Sequence, residues 1–201
     1  MFLLHAFAAC PYPRPASPLL DAVLLVGNIG AGKTTTGMAL LDAGWKLLSN
    51  DSPIINESAE VLSYPGLLAA YPDTLTRFEK TSRLAASAAE RRKIVIAAES
   101  IWPDVWIDRA PAAAIFFPQI ESRADHAVEP ISQPEALRMI LPHAIEQWDR
   151  AMIPGHLAAL NAFVQAAPAF RLRLGPDTST IPDTLLNLLP AHRPQPPGLC
   201  G

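Results

Sequence analysis

An α/β fold, a mixed sheet with a helical C-terminal cover, is predicted by three features of this 201-residue sequence. Residues 19–26 form a nearly continuous apolar run, as expected of a strand buried on both faces, and they lead straight into a glycine-rich turn beginning at Gly27. Two further runs rich in Ile, Val and aromatic residues, 93–102 and 112–120, read as strands. Residues 132–148 and 153–167 then carry apolar side chains at helical spacing. The hydrophobic share of 50% excludes a disordered chain. No apolar run reaches the about 20 residues of a membrane span.

The remaining elements follow in order. Residues 2–9 are expected to form a first strand, joined to 19–26 by a stiff loop containing Pro11, Pro13, Pro15 and Pro18. The 21 prolines are about twice the usual share of about 5%, so turns should be frequent and long helices few. Residues 34–41 turn helical, and Gly44 stands where a helix-terminating glycine takes positive φ. A strand at 45–49 ends at the turn Asn50-Asp51-Ser52-Pro53. The apolar patches at 61–68 and 75–78 are short and sit among turn residues, and the alanine-rich stretch 81–92 reads as a helix. Residues 170–174 alternate apolar and basic like an edge strand, protected by Arg171 and Arg173, and 181–189 closes as a short helix. The expected organisation is one domain over 1–189 and a Pro/Gly-rich tail over 190–201.

Charge and cysteine usage narrow the partners. A net charge of -3 supplies no general field for nucleic acid or an anionic membrane. Cys10 and Cys200 are the only cysteines and form no disulfide framework, which fits a reducing cytoplasm. The stretch ending Phe7-Ala8-Ala9-Cys10 lacks the basic lead and the apolar length of an export signal.

The strongest local signal is Gly27-Asn28-Ile29-Gly30-Ala31-Gly32-Lys33-Thr34, which satisfies the P-loop pattern and lies between an apolar strand and a helix. Glycines let the backbone wrap a phosphate with its N–H groups inward, and the helix N-terminus adds partial positive charge. Lys33 supplies a mobile cation, Thr34 a hydroxyl for Mg²⁺, and Thr35 continues the binding segment. A nucleotide such as ATP is the expected ligand. Asp51 is the leading metal carboxylate: if 45–49 runs parallel beside 19–26, both strands end on one sheet edge. Glu99 is a rival better read as a surface residue. Arg77, Lys80 and Arg83 are either a solvated face or a charge clamp for the transferred group. Trp102, Trp106, Phe116, Phe117 and Trp148 read as core.

Taken together, Leu4-His5-Ala6, the P-loop and Asp42-Ala43-Gly44-Trp45-Lys46-Leu47-Leu48-Ser49-Asn50-Asp51 resemble the catalytic domain of the HPr serine kinase/phosphorylase family. That family shares its nucleotide-site architecture with phosphoenolpyruvate carboxykinase. The resemblance covers residues 3–53 and is to the compact relatives rather than the full bifunctional enzyme. It implies that Lys33 and Thr34 bind phosphate and Mg²⁺, that His5 sits beside the transferred phosphate, and that subunits can assemble. The family's two adjacent aspartates correspond here to Asn50-Asp51, and asparagine cannot take a proton at neutral pH, so Asp51 is left with both roles or another acid substitutes. The expected function is an ATP- and Mg²⁺-dependent kinase acting on a hydroxyl, such as a serine of a peptide or small protein. A small-molecule kinase of the shikimate or gluconate type and a nucleotide-binding relative without transfer stand beside it. The acceptor, and the choice of ATP or pyrophosphate as donor, stay open.

Overall fold

The computed structural model describes residues 1–11, 21–85, 92–144, 151 and 153–189. Its elements are β1 (Phe2–Leu3), β2 (Ala6–Cys10), β3 (Ala22–Val26), α1 (Lys33–Asp42), β4 (Lys46–Ser49), β5 (Ile54–Ile55), β6 (Glu60–Leu62), β7 (Leu68–Ala70), α2 (Pro72–Leu75), α3 (Glu79–Ala85), β8 (Ile94–Ile96), β9 (Arg109–Ile120), β10 (Ala127–Ile131), α4 (Gln133–Ile140), α5 (Ile153–Ala166), β11 (Ala169–Leu174) and α6 (Ile181–Leu186). The proline-rich loop through Pro18, Trp148, Cys200, the end of the expected 81–92 helix and the tail at 190–201 lie outside the described residues.

The expected α/β class holds: a large mixed sheet runs β1-β5-β6-β9-β3-β2-β4, with β11 joining β9 on its other flank and β10 beyond it. Alternation of side chains splits its interior into two cores. Phe7, Val23, Leu25, Phe116 and Phe170 face one way and pack on Met38 and Leu41 of α1 and Leu185 of α6. Ala8, Leu24, Ile115 and Phe117 face the other way, against Ile140 of α4 and Leu160 and Phe163 of α5. Burial on both faces is why β2, β3 and the middle of β9 read as unbroken apolar runs. No helix among the described residues is long and apolar enough to cross a membrane.

Strand pairing departs from the sequence reading in ways that bear on the site. The expected strand at 2–9 breaks at Leu4 and His5, whose amides turn aside to Pro53 O at 3.1 Å and His143 O at 2.8 Å. The 45–49 strand is not beside 19–26: β2 lies between β3 and β4 and is antiparallel to both. Two reversals restore direction, so β3 and β4 still end on one edge, and the start of β2 joins them there. β9 and β11 run parallel to β3, so Ile120 and Leu174 end there too.

Other expectations are corrected. Residues 170–174 are interior rather than an edge, because β10 pairs outside β11. Arg171 and Arg173 accordingly reach partners instead of guarding an edge: Arg171 meets Glu135 at 2.6 Å, and Arg173 meets Glu129 at 3.0 Å and Glu121 at 3.7 Å. The 93–102 strand shrinks to β8, since a 3-10 turn follows at Ala98–Ser100. Among the described residues of the expected 132–148 helix, α4 gives way to a 3-10 turn at Leu141–His143 that holds Pro142, and residues 145–148 lie outside the described residues.

Candidate functional site

The Gly27–Thr34 loop crosses from β3 into α1 with Gly30 at φ 85° and Gly32 at φ 101°, the left-handed region open mainly to glycine. A Cβ on Gly32 would also fall 2.7 Å from Leu174 Cδ1, so the loop packs directly on the ends of its neighbouring strands. Ala31 N closes the turn on Asn28 O at 3.2 Å. α1 has no side-chain N-cap and no acidic residue in its first turn. Its leading N–H groups and positive dipole end are therefore left for an anion.

Lys33 is 9% exposed. Its ammonium folds back on the loop, donating to Gly27 O at 2.5 Å and Asn28 O at 3.2 Å. It also donates to His5 Nε2 at 3.1 Å. That bond fixes the imidazole as an acceptor at Nε2, so Nδ1 carries the hydrogen directed at Asp51 Oδ1, 3.2 Å away. A neutral His5 thus bridges an ammonium and a carboxylate. Burial pushes the His5 pKa below its ordinary value, the Lys33 charge adds to this and Asp51 opposes it. Burial likewise lowers Lys33, with Asp51 opposing and Lys93 adding. His143, whose ring stacks on His5 at 6.1 Å, is lowered by burial, then by His5 and Lys33. Nothing in the sequence pattern pointed to His143.

Asp51 is held by its turn. Ser49 Oγ accepts from Asp51 N at 3.4 Å and Ser52 N at 3.0 Å, while Asp51 O accepts from Ala6 N at 2.9 Å. Its side chain is 60% exposed. Asn50 also lines the cleft, and its Nδ2 donates to Leu67 O at 3.1 Å.

These groups line one cleft of about 820 Å³, which brings together His5, Asn28, Ile29, Gly30, Gly32, Lys33, Thr34, Thr35, Asn50 and Asp51. Gly27 and Ala31, expected among the binding residues, do not line it. Two walls went unnoticed in the sequence reading: Tyr71, Asp73, Thr74 and Lys93 beside Arg77 on one side, and the turns after β9 and β11 on the other. Both are short segments without periodicity. Of the basic candidates, Arg77 lines the cleft, Lys80 pairs with Asp42 at 3.3 Å and Arg83 is exposed away from it. Glu99 also lies outside, accepting from Trp106 Nε1 at 3.0 Å. Trp102, Phe116 and Phe117 are buried as expected.

No protein-family model matches the sequence, and no curated protein matches it. Among solved structures, the Hpr(Ser) kinase/phosphatase from Coxiella burnetii is similar over 92% of this chain and 91% of that chain, at 10% identity and a TM-score of 0.45. A likeness that loose carries nothing about the site, whose chemistry rests on the residues themselves.

Proposed function

We propose that the protein is a Mg²⁺-dependent phosphotransferase that binds ATP on the Gly27–Thr34 loop and passes its terminal phosphoryl group to a hydroxyl, with a serine of a peptide or small protein as the acceptor class. The observation that carries this reading is the Lys33–His5–Asp51 chain, which sets a cation and a carboxylate at the mouth of a glycine loop whose helix start carries no side-chain cap and so suits phosphate. A cleft of about 820 Å³ has room for a nucleoside as well as phosphates, which favours ATP over pyrophosphate.

Thr34 and Asp51 are the residues that would hold Mg²⁺. Both offer hard oxygens to the cleft, and the Thr34 hydroxyl makes no hydrogen bond among the described residues. No group of three or more His, Cys, Asp or Glu among those residues could hold a metal alone, so a bound Mg²⁺ would need phosphate oxygens and water besides. The ion would neutralise charge on the phosphates. Lys33 releases Gly27 O and Asn28 O to reach phosphate oxygens, while His5 keeps Asp51 oriented through Nδ1. The exposed Asp51 oxygen accepts the proton of the incoming hydroxyl. Little base strength is needed, because a loose phosphoryl transition state depends mainly on positioning and charge.

A second reading, nucleotide binding without transfer, draws on Asn50, whose amide occupies a strand-end position and makes a structural bond. Label transfer from γ-labelled ATP to serine peptides and hydroxyl metabolites decides between the two. Asp51→Asn is expected to lower transfer by about 10²–10⁴-fold, while changing nucleotide affinity less than Mg²⁺ dependence. Binding of Mg·ATP with no labelled acceptor establishes the second reading.

A further inference from the structure

The turns leaving β9 and β11 are tied into a single wall of the cleft, and His126 is the pin. Glu121 N donates to Leu174 O at 3.1 Å. Gly175 N donates to His126 Nδ1 at 2.9 Å, so Nδ1 bears no hydrogen, and Nε2–H donates to Asp177 O at 2.5 Å. The imidazole thereby fastens both ends of the second turn to the first. The backbones also touch: a Cβ on Gly175 would lie 2.9 Å from Ala124 O. Beyond the pin, the Asp177 carboxylate accepts from Ser179 N at 2.9 Å and Ser179 Oγ at 2.7 Å, which sets the turn that carries Thr178 into the cleft. His126 itself does not line the cleft.

The position and character of this wall say what it receives. Along the sheet the order is β4, β2, β3, β9, β11, so the phosphate loop lies between Asp51 and His5 on one flank and the wall on the other. If Asp51 marks the reacting end of a polyphosphate, its other end points toward the wall. The Asp51 flank adds the charged Asp73, Arg77 and Lys93, whereas the wall shows Ile120, 64% exposed, beside Pro176 and the buried edges of Leu174 and Ile181, with Glu121, Ser122, Arg123 and Thr178 around them. Ile29, 86% exposed, projects from the loop nearby. The wall's charges are already paired, Arg123 with Glu121 at 3.6 Å and Glu121 also with Arg173 at 3.7 Å. An apolar shelf against a phosphate site suits the flat face of a nucleobase.

We propose that His126 is a positioning residue that clamps the two strand-end turns into the wall receiving the nucleoside of the bound nucleotide. This rests on the nucleotide reading above. The test compares two probes by calorimetric titration in the presence of Mg²⁺: ATP, which needs the wall, and inorganic tripolyphosphate, which needs only the loop. His126→Ala is expected to weaken ATP by about tenfold or more and to leave tripolyphosphate within about twofold. His126→Asn, whose carbonyl oxygen can accept from Gly175 N, is expected to recover most of the ATP affinity. Ile120→Ala, on an exposed side chain, carries the same comparison should His126→Ala not fold. Equal weakening of both probes, or of neither, overturns the role of His126 while sparing the phosphate loop. A wild-type protein that binds neither probe overturns the nucleotide reading, and this proposal with it.

Discussion

Replacing Lys33 by methionine separates fold from chemistry, because stability and binding respond with opposite sign. The ammonium holds three acceptors at 2.5, 3.2 and 3.1 Å, and a hydrogen bond to a charged group contributes roughly 1.5–3 kcal/mol. Taking an ammonium out of water costs several kcal/mol against that. The lowered Lys33 pKa, with burial as its largest cause, decides the sign: all contacts included, the charge is less favourable in the fold than in the unfolded chain. Methionine has similar length and no charge, and water at the cleft can satisfy the freed carbonyls. Lys33→Met should therefore lie within about 1 kcal/mol of the wild type at neutral pH, on the stabilised side. Its advantage should shrink as pH climbs toward the ordinary lysine value of 10.5, since the folded lysine sheds its proton before the unfolded one does. Binding moves the other way. On the proposed nucleotide reading, losing two charge-assisted contacts to phosphate oxygens costs about 3–6 kcal/mol, or about 10²–10⁴-fold in Kd for Mg·ATP. Scanning calorimetry and titration calorimetry on one preparation read both quantities. A variant that melts several degrees lower and loses nucleotide only in step with its fold would refute the reasoning, as would one that still binds Mg·ATP normally.

Acid should weaken the fold through the stacked imidazoles. His5 and His143 both have pKa values below the ordinary 6.5, so their contribution is complete above about pH 6.5 and is lost as pH falls through the folded values. His143→Gln is expected to flatten the fall in thermal midpoint between about pH 6.5 and pH 5; an unchanged slope removes His143 from the account. Gly32→Ala should cost about 2 kcal/mol, from the left-handed backbone and the 2.7 Å approach to Leu174, and should weaken nucleotide binding as the loop amides shift. Gly44→Ala, at φ 87° with open space around it, should lose about 1 kcal/mol and keep nucleotide affinity. Equal affinity loss in both variants would show that the loop's shape has no special role.

The strand-turn-helix passage at Gly27–Thr34 was legible because its signal is local: glycine positions, a lysine and a hydroxyl between a strand and a helix. The arrival of Asp51 at the same sheet edge was legible from the direction of its strand, although the neighbour of that strand is β2 and not β3. Pairing order was not legible, since β2, β3 and β4 are all short apolar runs and hydrophobicity does not say which lies in the middle. The middle position of β2 is what brings His5 to the cleft. With β2 antiparallel between its neighbours, the start of that strand arrives at the edge where the others end, so a residue in an apolar stretch meets Lys33 and Asp51. β10 escaped notice because Pro130 and Glu129 make it a poor strand by composition. An outer position tolerates proline, and Glu129 is the partner that turns Arg173 from an edge guard into half of an ion pair.

Asn50 shows how a departure from an expected pattern can have a cause outside the chemistry. By resemblance the position calls for a second aspartate, and the sequence alone reads asparagine there as a lost base. In the fold its amide donates to Leu67 O, just before β7, and that segment leads into α2 and so to Asp73 and Arg77 at the cleft. An aspartate could not make this bond at neutral pH and would set a carboxylate against a carbonyl. The amide is thus explained by the wall it anchors, whether or not transfer occurs. Phosphoryl transfer tolerates the exchange better than most chemistries, because charge and alignment lower its barrier more than proton removal does. Asp51, still oriented by His5, is the carboxylate that remains at that strand end, and the case for catalysis depends on its exposed oxygen rather than on the missing acid.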